Sequence, residues 1–150
     1  MGQDLTKFMH ARFGEQEVSV DKVITFPDGV PGFEGYKTYA LFMDPNSDPF
    51  QWLLSTENPK LGFVMINPLV ISPDYEPLIS RDDLKSLNVA SEDDVALWVF
   101  VTLADDPKDV TVNLSGPILV NMATRSARQL ALLDDRYSTK HKIFVEAVEV

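Results

Sequence analysis

The chain has 150 residues, 45% hydrophobic and 24% charged, the balance of one folded domain spanning 1–150 with a core of its own. It contains no cysteine, which excludes a disulfide framework, a thiolate-held metal and a cysteine nucleophile, and fits a reducing compartment. A net charge of −10, from 23 acidic and 13 basic side chains, keeps a small protein soluble, opposes nucleic-acid phosphates and anionic lipids, and steers a basic protein partner inward.

At the N-terminus, Met1-Gly2-Gln3-Asp4-Leu5-Thr6-Lys7 lacks the positive-then-apolar order of a signal peptide. No apolar run approaches the ~20 residues that span a bilayer, so the expected location is the cytoplasm, with no membrane contact. Met9, Ala11 and Phe13 alternate with His10 and Arg12, Gly14-Glu15 offers a turn, and Val18 and Val20 follow. This predicts a hairpin with His10 on its polar face. A short strand over 23–26 ends at Pro27-Asp28-Gly29, where proline presets φ and glycine supplies a positive one.

Strands are predicted over 39–43, 50–55 and 61–66, separated by loops rich in Pro, Asn and Asp. Phe50, Trp52 and Leu54 share one face of the second, and Gln51, Leu53 and Ser55 the other. Prolines 68, 73 and 77 then interrupt any long ladder. Ser80 is placed to cap a helix through Leu87, with Asp82 and Asp83 at its positive end and Leu84 and Leu87 facing inward. Ser91 with Glu92-Asp93-Asp94 predicts a single turn before a strand over 95–103, whose unbroken apolar run indicates a central strand buried on both faces. Asp105-Asp106-Pro107 reads as a turn. Strands over 110–114, 118–121 and 129–133 follow, with a polar turn at Ala123-Thr124-Arg125-Ser126. About ten short strands sharing one core predict an all-β fold, a small closed or partly open antiparallel β-barrel with one short helix.

No catalytic constellation emerges. His10 and His141 are far apart and lack a metal-ligand spacing, and both read as surface histidines. The paired carboxylates, such as Asp82-Asp83 and Asp134-Asp135, are adjacent in sequence, whereas acid-base work needs two carboxyl groups facing each other across a substrate. Ser115 lacks a nucleophile-elbow context, and Pro31 removes a donor amide from the glycine-rich stretch 29–35, which has no phosphate-binding lysine. No cofactor is expected. What remains are loops carrying aromatic and acidic side chains: Phe33-Glu34, Asp74-Tyr75-Glu76 and Asp105-Asp106. They are the candidate partner-binding residues, since interface anchors favour aromatics and acidic neighbours complement a basic partner. For Phe33 and Tyr75 the competing reading is that the ring tucks back into the barrel.

Several segments occur in a recognisable order. They are Ile24-Thr25-Phe26-Pro27-Asp28-Gly29-Val30-Pro31-Gly32-Phe33-Glu34, then Phe50-Gln51-Trp52-Leu53-Leu54-Ser55-Thr56-Glu57-Asn58-Pro59 and Pro73-Asp74-Tyr75. Thr111-Val112-Asn113-Leu114 leads into Pro117-Ile118, and Gln129 and Tyr137 through His141 complete the series. Over roughly residues 8–145 the chain resembles the flagellar assembly factor FliW family. It departs from that pattern at Leu54, where glutamine is common, and at Ser115-Gly116, where a bulkier residue and alanine are usual. The resemblance implies a β-barrel-like protein, monomeric when free and without enzymatic activity. It implies two partners bound in mutually exclusive states: cytoplasmic flagellin and the RNA-binding translational regulator CsrA. Flagellin held by the protein would leave CsrA on flagellin messenger RNA, and exported flagellin would free the protein to capture CsrA. Two alternatives stand beside this reading: a flagellin chaperone with no CsrA arm, and a carboxylate-dependent glycosidase built in a β-barrel.

Overall fold

A computed structural model describes residues 5–143. Of the stretches read above, Met1–Asp4 and the end of the family resemblance at 144 and 145 lie outside the described residues. The strands are β1 (Leu5–His10), β2 (Gly14–Ser19), β3 (Val23–Thr25), β4 (Thr38–Phe42), β5 (Gln51–Ser55) and β6 (Gly62–Ile66), then β7 (Val95–Thr102), β8 (Thr111–Val112), β9 (Ile118–Asn121), β10 (Ser126–Gln129) and β11 (His141–Lys142). Two short helices, α1 (Pro68–Ile71) and α2 (Arg81–Ser86), lie between β6 and β7. Neighbouring strands β3 to β7 pair antiparallel in chain order, β7 pairs with β9, β9 with β10, and β10 returns to β3. That circuit closes a seven-stranded barrel, as expected, and closure removes most free sheet edges.

The closing contact is the one parallel pairing among the described strands, Ser126 beside Thr25. Thr25 N–H donates to Arg125 C=O at 2.9 Å. Arg125 reaches this position through a left-handed backbone (φ 62°), and its N–H donates to Asn121 C=O at 2.6 Å. The Asn121 side chain, 1% exposed, holds the turn from within. Its Oδ1 accepts from Ala123 N–H at 2.9 Å, and its Nδ2 donates to Leu87 C=O at 2.8 Å. One buried amide therefore joins the barrel seam to the end of α2.

Strand pleating sends alternate residues inward and outward. Inward, Ile24, Phe26, Tyr39, Leu53, Met65, Ile118 and Val120 fill the barrel. Burying each such side chain stabilises by about 1.5–3 kcal/mol. The outer face is covered in three places, which explains why β5 and β7 read as nearly continuous apolar runs. The β1–β2 hairpin lays Phe8 on Leu54 and Ala40, with Phe13 against Phe42 and Trp52. Helix α2 brings Leu84 and Leu87 onto Leu119 and Leu97. Tyr75, Ile71 and Tyr137 cover Val64, Ile66, Val99 and Val101.

Four expectations need correction. His10 is buried, 6% exposed, and faces the barrel beside Phe8, while Met9 points outward at 54% exposure. Residues 11–13 form the turn and not the strand, so the inward set shifts by one residue, and His10 Nδ1 accepts the Arg12 N–H at 3.1 Å. A second helical segment, α1, joins the predicted one because Asn67 Oδ1 accepts the Leu69 N–H at 2.9 Å and Pro68 occupies the first turn, where its missing N–H costs nothing. The last predicted strand, 129–133, is displaced to 126–129, directly after the Asn121-pinned turn. Strand β11 pairs with β8 at His141, where a surface histidine and no strand is expected.

The helix over 81–86 forms as expected. Ser80 Oγ accepts the Asp83 N–H at 3.0 Å, and Asn88 ends it in the left-handed region at φ 56°. Glu57, in the turn between β5 and β6, caps the start of β4: its Oε1 accepts N–H groups of Thr38 at 3.1 Å and Lys37 at 2.7 Å. Those two bonds, Thr38 first, hold its carboxyl below the usual carboxylate range.

Two outcomes test this fold. Asn121→Ala strands the Leu87 carbonyl and the Ala123 amide, and should lower unfolding stability in urea by about 2–4 kcal/mol; a loss under 1 kcal/mol would contradict the pinning role. Because Glu57 is depressed when folded, its contribution is present above the unfolded carboxyl value of about 4.3 and is lost as pH falls through the folded value. The difference in urea midpoint between the wild type and Glu57→Gln should therefore be largest near pH 7 and shrink below about pH 4.

Candidate partner-binding surface

The three predicted loops occupy different parts of the barrel. Phe33 and Glu34 sit in a loop built by its own backbone: Gly29 N–H donates to Phe26 C=O at 2.8 Å and Phe33 N–H to Val30 C=O at 2.7 Å. Gly29 has φ 74°, and a Cβ there would come within 2.6 Å of the Glu34 Cα, so no other residue fits. Glu34 accepts the Gly32 N–H at 3.1 Å, and that bond holds its carboxyl below the usual range. Phe33 divides between its two readings, since its ring packs edge-on to Phe63 at 5.5 Å yet stays 42% exposed.

Tyr75 is 4% exposed and tucked in. Its hydroxyl donates to Leu114 C=O at 2.7 Å, and its ring stands edge-on to Tyr137 at 4.7 Å. Burial, then the neighbouring Tyr137, pushes its phenol well above the ordinary value. As an exposed anchor, Tyr75 is therefore corrected to a structural plug that ties the segment after α1 to the segment after β8. Asp74 and Glu76 on either side remain exposed, and the Glu76 N–H donates to the Tyr137 hydroxyl at 3.0 Å. Asp105 and Asp106 are exposed in the β7–β8 turn, where Asp106 Oδ1 caps the Lys108 N–H at 3.0 Å. Phe33 leans on Phe63, a ring packed against the cluster inside the barrel, while Tyr75 belongs to the cluster on the outer face, so the candidates do not converge on a single site.

The sequence reading missed a groove of about 600 Å³ between α1, the 75–79 segment, α2 and the first half of β7. Its walls include Leu69, Tyr75, Ile79, Leu84 and residues 95–98. Around it Leu69 is 53% exposed, Val70 56% and Leu78 81%, an apolar margin that a monomer has reason to cover. The available signal was Leu78 between Pro77 and Ile79, apolar in a segment with neither strand nor helix periodicity. Among the described residues no cluster of His, Asp and Glu is arranged to hold a metal. Asp134, the best paired carboxylate, is engaged by Arg136 at 2.7 Å, which holds it below its usual range.

Tyr75→Phe should keep the fold and lower stability by about 1–2 kcal/mol in urea, because the Leu114 carbonyl loses its buried donor. Full stability in this variant would reassign the tyrosine from plug to surface.

Comparisons with known proteins agree over nearly the whole chain. A family model described as FliW protein matches residues 7–143. The flagellar assembly factor FliW of Geobacter sulfurreducens is 42% identical over 136 residues, covering 91% of this chain and 85% of that protein. Its counterpart in Treponema pallidum is 40% identical, covering 91% and 90%, and that of Alkaliphilus metalliredigens 36%, covering 89% and 83%. A crystal structure of the flagellar assembly factor FliW superposes with a TM-score of 0.87 at 36% identity, covering 95% of this chain and all of that one. With a family model matched over residues 7–143 and relatives 36–42% identical over about nine-tenths of its length, the chain belongs to the FliW family.

Proposed function

We propose that this chain is a flagellar assembly factor that works by binding proteins: flagellin, and in a mutually exclusive state the translational regulator CsrA. The observation that carries the reading is family membership over residues 7–143 with relatives named as flagellar assembly factors and not as enzymes. Three physical features support it. The net charge of −10 attracts a basic RNA-binding protein and repels the RNA that such a protein carries. Exposed carboxylates at Asp74, Glu76, Asp105 and Asp106 supply acidic contacts without a buried charge penalty. The candidate loops are held by their own hydrogen bonds, so little ordering entropy opposes docking.

The mechanism is mass action in the cytoplasm. Flagellin occupies the protein while it accumulates, and its export releases the protein to capture CsrA, which then leaves flagellin messenger RNA. An acidic body docked beside the RNA-binding surface repels phosphates over a Debye length of about 8 Å. Titration calorimetry of CsrA into the purified chain, alone and with saturating flagellin, tests the reading. Binding that disappears with flagellin present is expected, with an association rate that falls as salt is raised. Flagellin binding with no CsrA binding under either condition would reduce the protein to a flagellin chaperone, and binding of neither would overturn the reading.

A further inference from the structure

We infer that the groove beside β7 is a docking site for an extended, basic peptide segment of a partner protein, added as a strand to the free edge of β7. The inference rests on the reading that the chain works by binding proteins and names the form one partner segment takes.

The free edge follows from the register. β6 pairs with β7 only at Val64–Val101, Met65–Phe100 and Ile66–Val99. Extending that register one step past Asn67 sets Pro68 opposite Leu97, and proline offers no N–H to the Leu97 carbonyl. The chain then turns into α1, and the β6 strand ends. On the other side of β7, Met122 N–H donates to Asp94 C=O at 2.7 Å and Asn113 N–H to Phe100 C=O at 3.0 Å. Even-numbered residues of β7 therefore point their backbone groups toward β9 and β8, and odd-numbered ones toward β6. Val99 and Val101 find β6 there. The N–H and C=O of Leu97 lie on that same side, past the last β6 pair, where no other described strand is paired with β7.

Four consecutive residues, 95–98, line the groove, as expected of a strand edge; a strand face would contribute alternate residues. A helix laid in this groove would satisfy its own backbone and leave the Leu97 groups unpaired. An extended peptide pairs with them while its alternate side chains meet Leu69, Ile79 and Leu84. The sign of the partner follows from the frame. Along residues 67–98, which build the groove, stand Asp74, Glu76, Asp82, Asp83 and Glu92-Asp93-Asp94 against Arg81 and Lys85, a net −5, of which Arg128 at 3.7 Å from Asp83 offsets one. A peptide with lysine or arginine flanking its apolar core complements that frame.

Amide hydrogen exchange by NMR on the full chain tests the inference, with a synthetic peptide of alternating valine and threonine flanked by lysines as the probe. In the free protein the Leu97 amide should exchange at least about tenfold faster than Ala96 and Trp98, and saturating probe should slow it by a similar factor. The same peptide with a central proline should leave it unchanged, and a glutamate-flanked version should bind at least about tenfold more weakly. Leu69→Lys, a change at an exposed position, should weaken the lysine-flanked probe by about tenfold while the thermal midpoint stays near that of the wild type.

A Leu97 amide as slow as Ala96 in the free protein would overturn the inference. So would protection that depends on protein concentration alone, which assigns the edge to a second copy, or binding of a lysine-rich helical peptide without protection of Leu97. Flagellin binding is measured in parallel. Flagellin bound with Leu97 unprotected by any peptide sinks strand addition and leaves the proposed function standing, whereas probe bound and flagellin ignored does the reverse.

Discussion

The side-chain amide of Asn121 is the contact on which the architecture depends. A barrel of antiparallel neighbours must join its last strand to its first, and here that join is parallel, between β10 and β3. The turn that delivers Arg125 to Thr25 needs a residue in the left-handed region and a fixed starting point, and Asn121 supplies the second with its Oδ1. Its Nδ2 meanwhile meets the carbonyl at the end of α2. A buried amide with unfilled bonding capacity would be costly, and one filled from two elements locks both. Closure of the barrel and placement of the helix are thus one event.

Placement of α2 has consequences on the outer face. It covers Leu119 and Leu97 and forms one wall of the groove, whose floor is the half of β7 that pairs with β9 and not with β6. The opposite wall exists because Asn67-Pro68 diverts the chain from the sheet into α1. Two local features, an asparagine in the seam and a proline at the end of β6, therefore set the position and the opening of the groove beside the acidic frame. The Phe33 loop and the β7–β8 turn are held by their own local hydrogen bonds, which fix the carboxylates and one half-exposed ring in place at the surface.

Much of the barrel was legible in the sequence because pleating writes itself as alternation and turns as Pro, Gly, Asn and Asp. The 118–121 strand, the Ser80 cap and the breadth of the 95–102 strand followed directly. His10 was misplaced because alternation from Met9 through Phe13 runs unbroken across a turn, and only the bond from Arg12 N–H to Nδ1 shows where the strand stops. Tyr75 was open to both readings because a tyrosine serves an interface and a buried hydroxyl equally well; its acceptor lies 39 residues away and leaves no local mark. The groove was invisible for a related reason. Hydrophobic periodicity reports which face a residue occupies and is silent about which edge of a strand lacks a neighbour.

Family membership names the process, and the barrel supplies an acidic body with ordered loops and no assembled catalytic group among the described residues. The central claim is that this body removes a translational repressor from its RNA when flagellin is scarce. Fluorescence anisotropy of labelled flagellin messenger RNA bound to CsrA, titrated with the purified chain, tests it most directly. The account predicts that anisotropy falls toward that of free RNA and rises again when flagellin is added. RNA that stays bound to CsrA at saturating protein would contradict it.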